Sequence, residues 1–385
     1  MTTRVATQPP APALQPRDLE AFGAEIDAVR KRIEAQIGAD DVTYIKRVAR
    51  FSRAMEVVGR TLIHFSPEPV SFGLGVLTLF VHKQLHSAEV GHTVLHGAFD
   101  KLPGAEAYRS KGYWWESPID ERSWHAGHNI RHHQYTNVVG KDPDCRYGTV
   151  RLNARVPHKP VNEHQDLHPL FIWPSFSFNM AMHFSGMIDL YTRRPEDYDV
   201  LEDRSWPSIV KAHRQAFRKL APYWAKEYLL FPLLAGPMFW KVALGNWMAE
   251  SMRSVYSAAT IFCGHVGEHT ADYAADTRAS SRAQWYAMQV EAANDFDVPL
   301  PISILCGTLD RQIEHHLFPR WPTNRLRQVS PEIRRICERH GVRYQSASWG
   351  TTLRGVFKRL RQLSKPDAGQ EAAANTGRDA SAAMG

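Results

Sequence analysis

Apolar and charged positions are unevenly distributed along this 385-residue chain. Residues 17–50 are charged and helix-forming, and Arg47, Arg50 and Arg53 close the stretch. Ala54 to Phe65 is apolar but interrupted by Glu56 and Arg60, and Ser66 to Pro69 (SPEP) reads as a turn. Twelve uncharged residues follow from Val70 to Val81, and the helix they predict runs on to about His96. Pro169 to Ile188 is a second uncharged run, carrying Pro174, Asn179 and His183. Tyr228 to Trp240 is apolar, and beyond Lys241 a further stretch reaches Gly264 with Glu250 and Arg253 inside it. None is the uninterrupted run of about 20 apolar residues expected of a simple membrane anchor. Polar groups within hydrocarbon are costly, so in a membrane these would have to face a bundle interior.

Charge sets an orientation on this pattern. Lys101 to Lys159 holds ten Lys or Arg, Arg193 to Lys226 holds eight, and the region after Thr270 is rich in Arg. The turns at Ser66–Pro69 and about Lys241–Arg253 carry few. By the positive-inside rule, both termini and all long loops face the cytoplasm. The expectation is an all-α, multi-pass protein of the cytoplasmic (inner) membrane. About four transmembrane helices form two hairpins beneath a helical cytosolic cap. The first crossing falls at residues 49–66, and parity leaves Pro169–Ile188 in the interface. A mean hydropathy of −0.39 is low for a membrane protein, which a short embedded part under a large cap explains. A soluble bundle of buried helices is the competing arrangement. Residues 1–16 read as a disordered leader, 17–363 as the folded domain and 364–385 as a disordered tail.

The net charge of +7 suits nucleic acid, an anionic membrane face or an acidic partner. Zinc-finger spacing and RNA-binding aromatic motifs are missing, so nucleic acid is set aside. The four cysteines are scattered with no C-x-x-C, as expected of reduced thiols on the cytosolic side. There is no internal repeat, Gly-rich nucleotide loop, Walker motif or H-E-x-x-H.

The chemistry concentrates in histidine. Trp124 to Asn137, WHAGHNIRHHQYTN, contains H-x-x-x-H-H at His128, His132 and His133. On an α-helix, His128 and His132 share a face, while His133 lies about 100° away and addresses a neighbouring site. Surface histidines beside a core one would give the same short motif, so the argument rests on its companions. These are His92 and His96 in EVGHTVLHG, His265 and His269 in CGHVGEHT, and Gln312, His315 and His316 in RQIEHHLFP. Under the four-crossing topology all four clusters lie at cytoplasmic helix ends, bringing nine imidazoles to one spot. One zinc needs at most four ligands, so nine suit two metal ions with open positions. Helical iron pairs usually use carboxylates in Glu-x-x-His patterns, which are missing here.

HTVLH, HNIRHH and QIEHHLFP, in that order, resemble the three histidine boxes of the membrane fatty acid desaturase family. The similarity spans about residues 60–345. It is closest to the bacterial acyl-CoA and acyl-lipid desaturases and the front-end (linoleoyl-CoA-type) enzymes whose third box begins with Gln. HHQYTNVVGKDPD and the stretch Gln312–Gly341 are similar as well. The resemblance implies a non-haem diiron centre with His92, His96, His128, His132, His133, His315 and His316 as ligands. His269 matches a further ligand at the end of the last transmembrane helix. His265 falls where the family can carry a water-bridging Asn, and Gln312 implies an indirect contribution. His82, His86 and His125 are expected in supporting roles. His64, His158, His164, His168, His183, His213 and His340 are expected to be ordinary histidines.

The implied reaction is dioxygen-dependent desaturation of an acyl chain carried on CoA or lipid. Hydrogen removal from an unactivated methylene needs an oxidant no side chain supplies, so a cofactor must carry it. The protein's part is a dry, narrow slot that fixes which carbon is presented. Arg131, Lys141, Arg146 and Arg151 are candidates for a CoA phosphate, a headgroup or the electron donor, or else a solvated basic face. The chain lacks the H-P-G-G motif of a fused haem domain. A separate ferredoxin- or cytochrome-type donor with its reductase is therefore implied, its acidic face matched by basic surface. A hydroxylase or ketolase of the same superfamily is the competing enzyme. A histidine-rich metal transporter is the competing class, although transporters favour midplane sites and repeats.

Overall fold

The computed structural model describes residues 16–366, so the leader and most of the tail lie outside the described residues. The described chain is mostly helical, with two short strand pairs. Arg146–Tyr147 pairs antiparallel with Val150–Arg151, and Asp295–Asp297 pairs parallel with Ser346–Ser348.

The charged N-terminal region forms two helices, α1 (Pro16–Glu34) and α2 (Ala39–Phe65). Phe22, Ile26, Val29 and Ile33 of α1 fall at helical spacing on one buried stripe. They pack against Tyr286, Ile313, Leu326, Val329 and Ile333, forming the core of the cap. The α2–α3 hairpin turns where the SPEP motif stands. Glu68 accepts from the backbone N–H of Val70 (2.6 Å) and Ser71 (2.7 Å), and Pro69 opens α3 (Pro69–Leu85) at a position needing no N–H donor. The two helices touch through Gly59 and Gly75. A Cβ at Gly59 would lie 2.7 Å from Leu79 N, so only glycine permits this approach.

Downstream, Pro169–Ile188 is broken into short pieces, the main one α4 (Phe176–Phe184), with Gly186 in the left-handed region at φ 83°. A 19-residue helix, α5 (Trp206–Trp224), contains Pro222 and continues as a wide turn over Ala225–Leu230. Tyr228–Trp240 is therefore not one helix. Phe231–Leu233 is followed by a turn with Gly236 at φ 55°, and α6 (Phe239–His265) begins beyond it. α6 packs across α2 and α3 around Ile63, Val76, Leu79, Val242 and Ala249. Arg282–Glu291 (α7), Gln312–Leu317 (α8), Thr323–Arg339 (α9) and Trp349–Leu363 (α10) complete the cap.

Among the described residues, no helix is long and apolar enough to cross a membrane. The reason is visible in the packing. Arg60, Lys83, Glu227, Glu250 and Arg253 sit inside, paired with one another: Arg60 Nη2 to Glu227 at 2.8 Å, Lys83 Nζ to Glu227 at 3.1 Å and to Glu250 at 3.2 Å, and Arg253 to Glu250. The same helices expose Phe51, Val57, Leu74, Leu77, Leu244 and Trp247 outward.

Candidate metal centre

The first two histidine boxes stand on widened helical turns. His86–His92 extends α3, and His125–His132 extends the short helix Glu121–Trp124. Both are π-type segments, in which the hydrogen bond closes five residues on instead of four. This changes which residues meet. His128 Nε2 lies 3.2 Å from His133 Nε2, five positions on, while the ring of His132 stacks at 5.1 Å.

His128 joins His92, His96 and His315 in one group, and His132 joins His265 and His316 in another. His128 and His132 also meet beside Asp144, as the sequence leads one to expect, although each enters a different all-histidine group. The widened turn rotates His132 towards the second group. His133 stands between the two, with ring centroids 4.7 Å from His315 and 4.5 Å from His316.

The third cluster also differs from expectation. α6 ends at His265, and His269 lies in an exposed turn outside both groups. The i, i+4 pairing of these two needed another helical turn, which Val266 and Gly267 do not make. His265 takes the inward position, its Nε2 at 3.4 Å from His316 Nε2 and 2.8 Å from Gln312 Nε2. Gly264 admits this contact, since a Cβ there would meet Gln312 Cγ at 2.9 Å. α8 then delivers His315 to the first group and His316 to the second.

Two observations bear on what the groups hold. Nitrogens His92–His96 and His92–His128 are 3.2 and 3.4 Å apart. With nitrogen–metal bonds of about 2.1 Å, two ligands on one ion stand about 3.0 Å apart at right angles and about 3.4 Å at the tetrahedral angle. In addition, His132 Nε2, His133 Nδ1, His265 Nδ1 and His315 Nε2 are buried with no hydrogen-bond partner. Unsatisfied buried nitrogens are costly unless something outside the protein engages them. The residues fit metal ions.

Neighbouring groups fix the rings. His132 Nδ1 lies 3.1 Å from both oxygens of Asp142, leaving Nε2 facing the cluster. Asp142 is held by the backbone N–H groups of Asn137 (2.8 Å) and Asp144 (2.9 Å). His316 Nδ1 meets Gln289 Oε1 at 3.0 Å and Thr136 Oγ1 at 3.1 Å. Such partners set the tautomer and direction of a ligating imidazole. Burial holds His128, His133, His315 and His316 well below the usual histidine range, keeping them neutral and ready to coordinate. Burial also opposes charge on His132, but Asp142 outweighs it and raises the group to about 9.

The remaining candidates lie elsewhere. His125 is exposed. His86 is buried but stacks on His82 at 5.6 Å and faces Arg53, away from both groups. His82 meets Glu56 and Glu116, a trio interleaved with Arg53, Arg60 and Lys226 and so already neutralised. His183, expected to be ordinary, binds Asp144 at 3.2 Å behind His132.

All four basic candidates spend donors on partners within the protein. Arg131 donates to the carbonyls of Lys141 and Asp199, and Arg146 pairs with Asp197 and Asp199. Arg151 is fully buried, its Nε donating to the Val156 carbonyl at 2.6 Å, which corrects its placement on a binding face. Lys141 donates to the Thr277 carbonyl at 3.2 Å. Asp142, Thr136 and Gln289 were missed in the sequence. Only the acidic KDPD stretch close after the second box offered a signal for any of them.

Trp115, Trp124, Phe176, Met180 and Ile261 line an inner pocket of about 90 Å³ that opens onto His92, His128, His132 and His265. The cluster therefore meets an apolar slot. Residues 67–348 match the family model described as fatty acid desaturase. The chain is 31% identical to the NADPH-dependent stearoyl-CoA 9-desaturase of Mycobacterium tuberculosis, over 91% of this chain and 81% of that protein. It is 23% identical to the sn-1 linoleoyl-lipid 6-desaturase of Synechocystis sp., over 71% of this chain and 74% of the relative. It is 26% identical to the acyl-lipid 8-desaturase of Rebecca salina, over 76% of this chain and 61% of the relative. Fold, histidine cluster and relatives agree: this chain belongs to the fatty acid desaturase family, whose members are oxidoreductases.

Proposed function

We propose that the chain is a dioxygen-dependent desaturase of long saturated acyl-CoA, holding two iron ions on His92, His96, His128, His132, His133, His265, His315 and His316. The observation that carries this reading is the pair of buried histidine groups, with four unsatisfied nitrogens, at the mouth of an apolar pocket. When bound, the metal pair supplies the oxygen-activating redox chemistry that side chains lack. The chain's own residues orient the ligands through Asp142, Gln289 and Thr136, exclude water and hold the substrate. His265 takes the place that sequence similarity gave to His269, with the Gln312 side chain beside its ring. The likeness to a stearoyl-CoA desaturase favours a thioester substrate.

The helices α2, α3 and α6, with the segment 225–234, sit in a membrane in this reading. Exposed Phe65, Val70, Leu233, Leu234, Phe239 and Trp240 support it, since contiguous exposed apolar surface of this kind needs cover. Reporter fusions after residues 67 and 237 test the sidedness. Electrons come from a separate protein donor.

The test is expression in a bacterial host with a reductase and donor. Iron per chain is measured, and acyl products are located by mass spectrometry. Two irons and a new unsaturated chain are expected, both absent from the His132→Ala, His133→Ala double variant. A hydroxylated or keto product moves the protein to the sister enzymes. Purified, folded protein without iron sinks the diiron reading.

A further inference from the structure

Trp124 stands against the first histidine group. Its ring stacks on His128 at a centroid distance of 4.5 Å and meets His96 at 5.2 Å and His92 at 5.6 Å, both edge to face. Among the described residues, no other tryptophan or tyrosine ring packs on the clustered imidazoles. Trp115 comes next, edge to face with Trp124 at 5.4 Å. Both indoles are buried. Trp115 Nε1 donates to the Ser87 carbonyl at 3.1 Å, and Gly91, where a Cβ would meet the ring at 2.2 Å, admits it beside the first box. Trp114, adjacent to Trp115 in the chain, is 56% exposed. Lys219 Nζ lies 3.4 Å over its ring, and Glu121 Oε1 at 2.6 Å offsets that charge. Three indoles thus run from the histidines to solvent.

Packing alone asks less of these positions. Leu95, Ile119, Ala181 and Phe184 complete the same apolar cluster without indoles, and phenylalanine would bury its ring with no N–H to satisfy. Indole differs in that a strong oxidant can take one electron from it with no bond broken. A donor protein is a mild reductant and cannot use such rings to pass electrons inward. A strong oxidant at the cluster can draw electrons outward through them. Desaturation requires an oxidant of that strength. Trp115 and Trp124 line the inner pocket together with Met180, so without an acyl chain these side chains are what the oxidant faces.

We infer that Trp124, Trp115 and Trp114 form a one-electron relay that drains oxidising equivalents from the histidine cluster to solvent when no acyl chain is bound. The inference rests on the desaturase reading for its oxidant, and adds how the centre survives an idle cycle. Each step moves one electron and breaks no bond within the rings. Trp124 gives an electron to the oxidant, Trp115 refills Trp124, and Trp114 refills Trp115. A thiol in solvent refills Trp114 and releases its proton to water. Two passes use two thiols, which pair as a disulfide. Their two electrons and two protons complete the reduction of dioxygen to water that the donor's electrons began.

The test uses the full chain in detergent, and its first arm needs no metal. The four cysteines are buried, so His125→Cys, at the exposed position beside Trp124, offers one accessible thiol for a ruthenium photo-oxidant. A light flash should give a tryptophan radical by transient absorption. Peptide mass spectrometry should place the lasting oxidation on Trp114, with Trp206 intact although it is 75% exposed. Trp115→Phe should hold the oxidation at Trp124 and spare Trp114. In the second arm, iron-loaded protein is cycled with dioxygen and donor but no acyl-CoA. Trp114→Phe lies outside the pocket and should keep its turnover with acyl-CoA. In the absence of acyl-CoA it should accumulate Met180 sulfoxide severalfold faster than the parent. Oxidation spread according to exposure, oxidation of Trp114 unaltered by Trp115→Phe, or Met180 oxidation indifferent to Trp114→Phe would overturn the relay. Protein that binds no iron, or forms no unsaturated product, would overturn the desaturase reading instead, and the light-driven arm would still decide whether the indoles conduct.

Discussion

Glu89 is the buried carboxylate that ties the segment of the first histidine box to α9 and α2. It lies three residues before His92 and is fully buried. Arg327 of α9 reaches it through Nη2 (2.7 Å) and Nη1 (3.2 Å), Thr323 Oγ1 donates to it at 2.6 Å, and Tyr44 of α2 donates as well. Replacing Glu89 by Ala leaves a guanidinium that is only 12% exposed without its counter-charge. Breaking a buried pair by removing one partner costs about 3–5 kcal/mol, much of it the desolvation of the partner left behind. Thr323 and Tyr44 also lose an acceptor, so the upper half of that range, about 4–5 kcal/mol, is expected. Replacing both partners, as in Glu89→Met, Arg327→Met, should recover most of the loss, because no buried charge then stands alone. The assay is denaturant unfolding of purified protein in detergent for the single and paired variants, with iron content alongside. The single Glu89→Ala variant should also lose iron, since the segment carrying His92 is no longer tied to α9. A single variant within about 1 kcal/mol of the parent, or a pair whose losses simply add, would show that Glu89 and Arg327 are not coupled.

Asp142→Ala should weaken iron binding by about 10–100-fold, the usual effect of removing the partner of a ligating histidine, as read by competition with a chelator. Gly91→Ala should destabilise by about 1–3 kcal/mol in the same unfolding assay, because its Cβ would meet the Trp115 ring at 2.2 Å. Ferrous iron should raise the Tm and a strong chelator should lower it, since the metal binds only the folded arrangement. His340 and Arg339 hold the Glu25 carboxyl below the usual range. Its contribution is therefore present above the ordinary glutamate pKa and lost as pH falls through the lowered value. Glu25→Gln should flatten that part of the acid limb in a Tm-against-pH series.

Much of the site could be read from residue order alone. The three boxes single out His92, His96, His128, His132, His133, His315 and His316 through their joint resemblance to the desaturase family, and the fold brings these rings together. Their partition between two groups was not readable. It depends on a hydrogen-bond shift in the helix at 125–132, and no residue in HAGHNIRH announces a widened turn. His269 is the position the family resemblance points to, but the helix ends at His265, so the structure turns His265 rather than His269 towards the cluster. Asp142, Gln289 and Thr136 come from three separate segments, so only folding brings them to the rings they orient.

The same division holds for the whole chain. The amino-acid sequence by itself determined a helical protein with a turn at SPEP, a charged helical N-terminal region, and histidine clusters that resemble the boxes of the desaturase family. These are local properties, set by periodicity, turn residues and ligand type. Tertiary structure decided which histidines share a group, and that Arg60, Lys83, Glu227, Glu250 and Arg253 neutralise one another inside the helices. It also decided that Arg151 is structural and that Trp115 lies against the turn carrying Gly91. Each of these depends on contacts between residues distant in sequence, where a charge's cost or benefit is set by its partner rather than by its own identity.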